Sequence, residues 1–230
     1  MTTIIAVRHA QASFGAANYD LLSPRGEEQA RLLGAWFKQI GLRPDAVVVG
    51  GLVRHEQTAR IALNEMSCGA ELAVSDFFRE FDSRDVMERH APGFRDRHHA
   101  RVKAGEIGTH EDYHEVFVQG IQRWVSGCHD PEYRQSWPAF RDRVHQGLRD
   151  LIEAYAGVET VLLVTSGGPL TVLFQVMTGM SNTAVFDMGY SLLNCGLSRM
   201  QTVGGQLKLR SFNAVPHLEI ARDPSLITYI

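Results

Sequence analysis

An arginine and a histidine, Arg8 and His9, directly follow the first apolar run of the sequence. Arg54 follows the second apolar run, Glu80 follows a third, and a Ser-Gly-Gly sequence at 166–168 follows a fourth. Guanidinium groups match phosphate oxygens in pairs, and backbone N–H groups at the start of a helix attract anions. A neutral imidazole nitrogen can attack phosphorus in line while fixed positive charge stabilises the transition state. These residue types therefore indicate phosphoryl transfer.

The predicted strands are what bring these residues to a common place. Short β-branched runs at 3–7, 46–49 and 160–165 are typical of strands that are buried on both faces of a sheet. Helical spacing follows the first run, beginning at Ser23-Pro24 and ending before Gly41. Because strands and helices alternate, we expect a parallel sheet whose carboxyl ends meet at one edge.

The middle and the end of the chain differ from this alternation. Strand signals stop over about 81–136, where charged residues and histidines dominate, so we expect a helical insertion there. An amphipathic helix follows at 140–155, and the runs 192–203 and 206–212 flank a Gly-Gly turn that is typical of a β-hairpin. The sequence therefore predicts a single α/β domain over 1–230, a three-layer α/β/α sandwich with a mostly parallel sheet.

Composition excludes several classes of partner. Among the 230 residues, 23 Lys and Arg stand against 26 Asp and Glu, a net charge of −3. A slightly acidic chain has no bulk attraction to nucleic acid or to an anionic membrane. Three cysteines without C-x-x-C spacing indicate reduced thiols, and the amino terminus lacks the basic region of a signal peptide. We therefore expect a cytoplasmic protein without nucleic-acid or membrane partners.

Five segments together resemble a known family. In chain order they are Val-Arg-His-Ala-Gln-Ala-Ser at 7–13, Leu-Ser-Pro-Arg-Gly-Glu-Glu-Gln-Ala at 22–30, Arg-His-Glu-Gln-Thr-Ala at 54–59, Val-Thr-Ser-Gly-Gly at 164–168 and Phe-Asn-Ala-Val-Pro-His-Leu at 212–218. This set is similar to the histidine phosphatase superfamily, the phosphoglycerate mutase-like proteins. The resemblance implies the phosphoglycerate mutase-like fold and a metal-independent phosphatase that needs no cofactor and acts on a small phosphorylated substrate.

The resemblance also implies roles for particular residues. His9 would take up the phosphoryl group, Arg8 and Arg54 would hold its oxygens, and Glu80 would protonate the leaving alcohol, with Asp82 and Glu88 as reserve acids. The implied phosphate-binding set is completed by Gln11, Ser13, Ser166 and Gly167. For Glu80 a solvated ionic surface remains an alternative, because Arg79, Asp82, Arg84 and Asp85 surround it in the sequence.

Two residues depart from the family pattern. Ala10 stands where the family usually has glycine, and a methyl group limits the approach of the backbone only slightly. Ser166 stands at the place of the family's second histidine, and a serine donates a weaker hydrogen bond than a histidinium. Our hypothesis is a retained phosphate pocket with reduced or altered turnover, helped by another histidine such as His55 or His217.

Three other functions stay open. A phosphoglycerate mutase-type phosphotransferase needs a second cationic cluster, which Arg95, Arg97 and Arg101 could supply. A non-catalytic protein that binds a phosphorylated ligand would explain the serine at 166. The sequence at 110–114 satisfies H-E-x-x-H and could hold zinc on a helix, although an exposed helix start explains the same residues.

A homodimer is a further expectation. The hairpin at 195–212 leaves an edge strand, and unpaired strand edges are places where a second copy of a chain can pair.

Overall fold

A computed structural model of the chain describes residues 1–13, 20–106, 112–204 and 206–229. Within these ranges one sheet contains six strands. They are β1 (Thr3–Arg8), β2 (Ala46–Val49), β3 (Leu72–Val74), β4 (Thr160–Thr165), β5 (Leu197–Val203) and β6 (Gln206–Ala214). Their order across the sheet is β3-β2-β4-β1-β5-β6.

The strand directions agree with the expected mostly parallel sheet. The strands β1 to β4 run parallel to one another, whereas β5 and β6 pair antiparallel at one side. In the register of β1 with β4, Arg8 lies beside Thr165. The residues that follow these two strands therefore start from the same edge of the sheet.

Helices make up most of the rest of the regular structure. Within the ranges given above they are α1 (Pro24–Gln39), α2 (Val53–Glu65), α3 (Ser83–His90), α4 (Phe94–Lys103), α5 (Tyr113–Val125), α6 (Trp137–Ala154), α7 (Gly167–Thr178), α8 (Asn182–Gly189) and α9 (Pro216–Glu219). The start of α1 is the predicted one, because the Ser23 hydroxyl accepts a hydrogen bond from the Gly26 N–H at 3.0 Å. A Cβ atom at Gly26 would overlap the carbonyl oxygen of Gln11, so glycine lets α1 pack on the loop after β1.

The core lies on the sheet, as the apolar runs predict. The middle of β1 is buried on both faces, from Ile4 to Val7. Val49 of β2 and Val164 of β4 pack in one cluster with residues of α1 and α2, among them Phe37. Burial of these β-branched and aromatic side chains is the main stabilising contribution to such a layer.

The chain divides into two compact units. One contains residues 1–80 and 143–230, and the other contains 81–142, which includes the predicted insertion at 81–136. The second unit has an aromatic core of its own, in which the ring centroids of Phe81 and Trp124 lie 4.7 Å apart and those of Trp124 and Trp137 lie 5.4 Å apart. The single domain over 1–230 stays a prediction.

The predicted strand over 192–203 is too long. The strand β5 begins at Leu197, because Cys195 has a positive φ of 57° and turns the backbone. The Asn213 carboxamide holds this turn by accepting from the Leu193 N–H at 2.9 Å and donating to the Ser191 carbonyl at 2.8 Å. Of the predicted Gly-Gly turn, Gly205 lies outside the residues that the structure describes.

No helix in the described part of the chain has the length and apolar character needed to cross a bilayer.

Candidate active site

Four of the predicted site residues lie at the carboxyl edge of the parallel strands. Arg8 ends β1 and His9 follows it, with the His9 N–H bonded to the Thr165 carbonyl at 2.8 Å. Arg54 lies in the first turn of α2, and Ser166 lies between β4 and α7. The structure brings the side chains of His9 and Ser166 to the Arg54 guanidinium, at the edge that the parallel topology predicts.

The His9 ring is held between a carbonyl group and a guanidinium group. Its Nδ1 lies 2.7 Å from the Ala10 carbonyl oxygen, and the Arg54 Nε–H donates to its Nε2 at 3.1 Å. Because Nε2 accepts, Nδ1 must carry the proton and the ring is neutral. Burial, followed by the charge of Arg54, holds the pKa of His9 well below 6.5, and His55 and Arg8 lower it further. The arrangement therefore keeps an uncharged imidazole beside fixed positive charges.

Arg54 is only 7% exposed, and its guanidinium contacts several side chains. Besides His9, its Nη1 donates to Asp20 Oδ1 at 2.8 Å and its Nη2 donates to the Ser166 hydroxyl oxygen at 3.5 Å. Asp20 also accepts from the Val53 N–H at 3.0 Å, so it caps the start of α2 from a distance. Sequence reasoning missed Asp20, because nothing in its local pattern relates it to a helix more than thirty positions later.

Arg8 lies beside the start of α7. Its guanidinium donates to the Leu192 carbonyl, and a Cβ built on Gly167 would lie 4.0 Å from its Nε. Its charge is one of the causes that lower the pKa of His9. Arg8 and the predicted Gly167 are therefore neighbours at the site.

Glu80 faces the same helix start. Its Oε2 accepts from the Gly168 N–H at 3.1 Å, in the first turn of α7. Glu80 directly follows a short segment whose backbone is held by Arg143, which donates to the Phe77 carbonyl at 3.0 Å and to the Arg79 carbonyl at 2.8 Å. The carboxylate thus lies where a helix begins, a position that favours negative charge.

The reserve acids have structural partners. Asp82 caps α3 by accepting from the Arg84 and Asp85 N–H groups, each at 3.1 Å. Glu88 accepts from the Gly93 N–H at 2.9 Å. Both carboxylates thus stabilise the local backbone of the unit at 81–142.

Gln11 and Ser13 hold the loop after β1. The Gln11 Oε1 accepts from the Ser23 hydroxyl at 2.8 Å, and the Ser13 hydroxyl donates to the Leu22 carbonyl at 3.0 Å. Both side chains thus fasten this loop near the start of α1. Their place in the phosphate-binding set stays a prediction.

Of the two histidines suggested as helpers, His55 lies at the site. His55 is fully buried, its ring centroid lies 5.5 Å from that of His9, and its Nε2 lies 2.6 Å from the Ser166 hydroxyl oxygen. Burial and then the charge of Arg54 hold the pKa of His55 well below 6.5, against a backbone hydrogen bond at Gly50 that raises it. His217 belongs to α9, where its neighbour Leu218 packs in a small cluster with other apolar residues.

The family model described as the histidine phosphatase superfamily, branch 1, matches residues 4–215. This chain belongs to the histidine phosphatase superfamily.

Solved structures of the superfamily share the fold. A phosphoserine phosphatase from Entamoeba histolytica, solved in complex with 3-phosphoglyceric acid, has a TM-score of 0.65 at 19% identity and covers 95% of this chain and 100% of its own. A phosphoglycerate mutase from Bacillus anthracis has a TM-score of 0.66 at 18% identity and covers 96% of this chain and 97% of its own. The phosphoglycerate mutase-like fold that the sequence predicts is therefore confirmed.

A curated relative matches in one segment. The 2,3-bisphosphoglycerate-dependent phosphoglycerate mutase of Thermobifida fusca is 39% identical over 71 residues, which are 28% of this chain and 29% of that enzyme. The matched part thus spans less than a third of that relative's length. The superfamily has both phosphatases and mutases among the relatives of this chain.

The structure describes only part of the alternative sites. Of the H-E-x-x-H sequence, His110 and Glu111 lie outside the described residues, and His114 is exposed on α5. Among the residues that are described, no group of three or more His, Cys, Asp and Glu side chains could hold a metal ion. In α4, Arg101 pairs with Asp112 at 3.4 Å and with Glu106 at 3.7 Å, so its charge is partly balanced by acidic neighbours.

Proposed function

We propose that this member of the superfamily hydrolyses phosphomonoesters through a phosphohistidine at His9. The observation that carries the proposal is the hydrogen bonding of the His9 ring, whose Nδ1–H donates to the Ala10 carbonyl and whose Nε2 keeps its lone pair beside Arg54. An imidazole nitrogen can attack only when it carries no proton, and a buried ring among arginines meets this condition.

In the first step the Arg54 Nε–H turns from Nε2 to a phosphoryl oxygen, the freed Nε2 lone pair attacks phosphorus, and the phosphorus–oxygen ester bond breaks. The bound phosphate dianion repels the Glu80 carboxylate and favours its protonated form, and the leaving oxygen takes this proton and departs as the alcohol. Arg8 and Arg54 hold the phosphoryl oxygens and stabilise the charge that spreads over them in the transition state. The product of this step is a phosphohistidine with Glu80 as carboxylate.

In the second step water attacks phosphorus from the side that the alcohol has left. The Glu80 carboxylate takes a proton from this water, the phosphorus–nitrogen bond breaks, and its electron pair returns to Nε2. Orthophosphate leaves, and the protonated carboxyl group and the neutral ring are both restored. The cycle requires no metal ion.

The proposal is tested by turnover of p-nitrophenyl phosphate and by labelling. His9→Ala removes the nucleophile, so we expect kcat/KM to fall at least about 1,000-fold. A phosphoenzyme labelled from a phosphomonoester and quenched without acid should be present in the wild type and absent from this variant. His99→Ala, an exposed histidine of α4, is the matched control. Turnover that does not change in His9→Ala would contradict the proposal.

A non-catalytic function is the second candidate, because Ser166 supplies an uncharged hydroxyl group that is already bonded to His55. In that case the protein would bind orthophosphate in calorimetry and would not turn over any phosphomonoester. A mutase function is supported by the segment shared with the Thermobifida fusca enzyme. It would show as conversion of 3-phosphoglycerate to 2-phosphoglycerate.

The substrate we propose is a small phosphorylated molecule. We also propose that the protein is cytoplasmic. The homodimer across β6 stays a prediction from the sequence. Lys208 and Arg210 lie along this strand and argue against it, because charges on an edge strand oppose pairing with a second copy.

A further inference from the structure

A chain of hydrogen bonds links a fully buried histidine to the proposed nucleophile. The His55 Nε2 lies 2.6 Å from the Ser166 hydroxyl oxygen, which accepts from the Arg54 Nη2 at 3.5 Å. Arg54 in turn donates through Nε to His9 at 3.1 Å. Each of these hydrogen bonds joins buried groups. Water cannot easily take the place of a lost partner, so breaking one of the bonds is costly.

The chemistry of the Ser166 hydroxyl gives the chain a direction. A hydroxyl group has one proton to donate and two lone pairs that accept. If its proton goes to the His55 Nε2, a lone pair remains for the Arg54 guanidinium. The hydrogen bond to His55 therefore decides the direction in which the lone pairs of the Ser166 hydroxyl oxygen point.

The His55 ring itself is confined. It is 0% exposed, and a Cβ atom at Gly50 would lie 2.7 Å from its Nδ1. A ring held this closely cannot reach a substrate, whereas His9 and Arg54 keep 5% and 7% exposure. Any effect of His55 on a bound phosphoryl group must therefore pass through its neighbours.

We propose that His55 is a positioning residue that orients the Arg54 guanidinium through the Ser166 hydroxyl. The inference rests on the proposed function, since it assigns Arg54 the task of holding the phosphoryl group beside His9. His55 keeps two edges of the guanidinium, Nε and Nη2, directed toward the carboxyl edge of the sheet, while Asp20 occupies Nη1.

This pairing also explains the serine at 166. The resemblance to the superfamily implies a histidine at this position, but the Ser166 oxygen is already 2.6 Å from the imidazole of residue 55. An imidazole at 166 that points as the serine does would overlap the ring of residue 55, because its first ring atom would take the place of the hydroxyl oxygen. The imidazole at this place thus belongs to His55 at the start of α2, and not to the residue that follows β4.

The experiment is a double-mutant cycle of His55→Leu, Ser166→Ala and the double variant. It measures kcat and KM for p-nitrophenyl phosphate and the Kd of orthophosphate by calorimetry. We expect each single change to weaken phosphate binding about tenfold, because a hydrogen bond to a charged group is lost. The double variant should be no worse than either single one, because both remove the same link. Independent effects, which would multiply to about 100-fold, would overturn the inference.

Conservative replacement separates positioning from filling of space. The amide group of His55→Gln can bond to the Ser166 hydroxyl, so this variant should recover most of the phosphate affinity that His55→Leu loses. Equal affinity in the two variants would mean that residue 55 only fills space, and the inference would be wrong. Should His55→Leu fail to fold, as judged by thermal unfolding, Ser166→Ala decides alone, and unchanged kinetics in that variant overturn the inference.

The outcomes distinguish this inference from the proposed function. Turnover in the wild type, with the same kinetics and phosphate affinity in every variant of the cycle, would support hydrolysis and overturn the role of His55. Phosphate binding without turnover, with non-additive losses of affinity in the cycle, would support the role of His55 and contradict hydrolysis. A wild type that neither binds orthophosphate nor turns over would overturn both.

Discussion

At the scale of single residues, the site depends on where protons and charges stand. His9 is neutral because burial and the arginines oppose its protonation, and Asp20 balances part of the charge of Arg54. Glu80 is a further acid at the site, bonded to the Gly168 N–H. Its proposed task, protonating the leaving oxygen, matters only for an alcohol that leaves poorly without a proton.

This dependence on the leaving group leads to a prediction for Glu80→Gln. We expect kcat/KM for an alkyl phosphomonoester, which reports only the first step, to fall about 100-fold or more, because general acid catalysis is lost. With p-nitrophenyl phosphate the loss of kcat/KM should be much smaller, since p-nitrophenolate leaves without protonation. Steady-state kinetics on both substrates make the comparison, with Glu28→Gln on the exposed face of α1 as control. Equal losses on the two substrates would argue against Glu80 as the acid.

At the scale of elements, the helix α6 holds the segment that carries Glu80. Arg143 of this helix donates to backbone carbonyls at 76, 77 and 79, and a Cβ atom at Gly147 would overlap the Cβ of Phe77. Burial lowers the pKa of Arg143 while the carboxylate of Glu80 raises it. One arginine on α6 thus holds the backbone that places the proposed acid.

Replacement of Arg143 should lower activity on the two substrates unequally, as Glu80→Gln does, but by smaller factors. Arg143→Met keeps the length of the side chain and removes the donors, so we expect kcat/KM for the alkyl substrate to fall about tenfold with little change in kcat/KM for p-nitrophenyl phosphate. Arg149→Met, farther along the same helix, is the control. Combining Arg143→Met with Glu80→Gln should add little to the loss of the latter. A multiplied loss would show that Arg143 acts on something other than Glu80.

At the scale of the whole molecule, a buried histidine makes the folded state sensitive to acid. His217 of α9 is 3% exposed, and neither ring nitrogen has a hydrogen-bond partner among the residues that the structure describes. Burial lowers its pKa from 6.5 to about 4. Between these values the unfolded chain binds a proton at this residue that the folded chain does not, so stability falls as the pH falls from 6.5 toward 4.

The pH dependence of unfolding of the wild type and of His217→Leu tests this effect. The leucine replaces the titrating ring by an apolar side chain of similar size. The free energy of unfolding of the wild type should decrease by up to about 3 kcal/mol more than that of the variant between neutral pH and about pH 4. Denaturant titrations at several pH values measure the difference. Parallel curves for the two proteins would show that His217 contributes nothing to the loss in acid.

Much of the fold was predictable because its signals are local. The β-branched runs predicted β1, β2 and β4, and Ser23-Pro24 predicted the start of α1, since strand periodicity and helix caps involve neighbouring residues. The start of β5 was not predictable in this way. It depends on Asn213, a residue about twenty positions away in the sequence, which bonds to the turn.

The sequence by itself determined the fold class, the family and the presence of Arg8, His9, Arg54 and Glu80 at strand ends, because residue type and strand order are written along the chain. Only the tertiary structure decided the partners of these residues. The contacts of Arg54 with Asp20 and of His55 with Ser166 join segments far apart in sequence. Such hydrogen bonds depend on distances within about an ångström, and packing sets those distances after the strands and helices have formed.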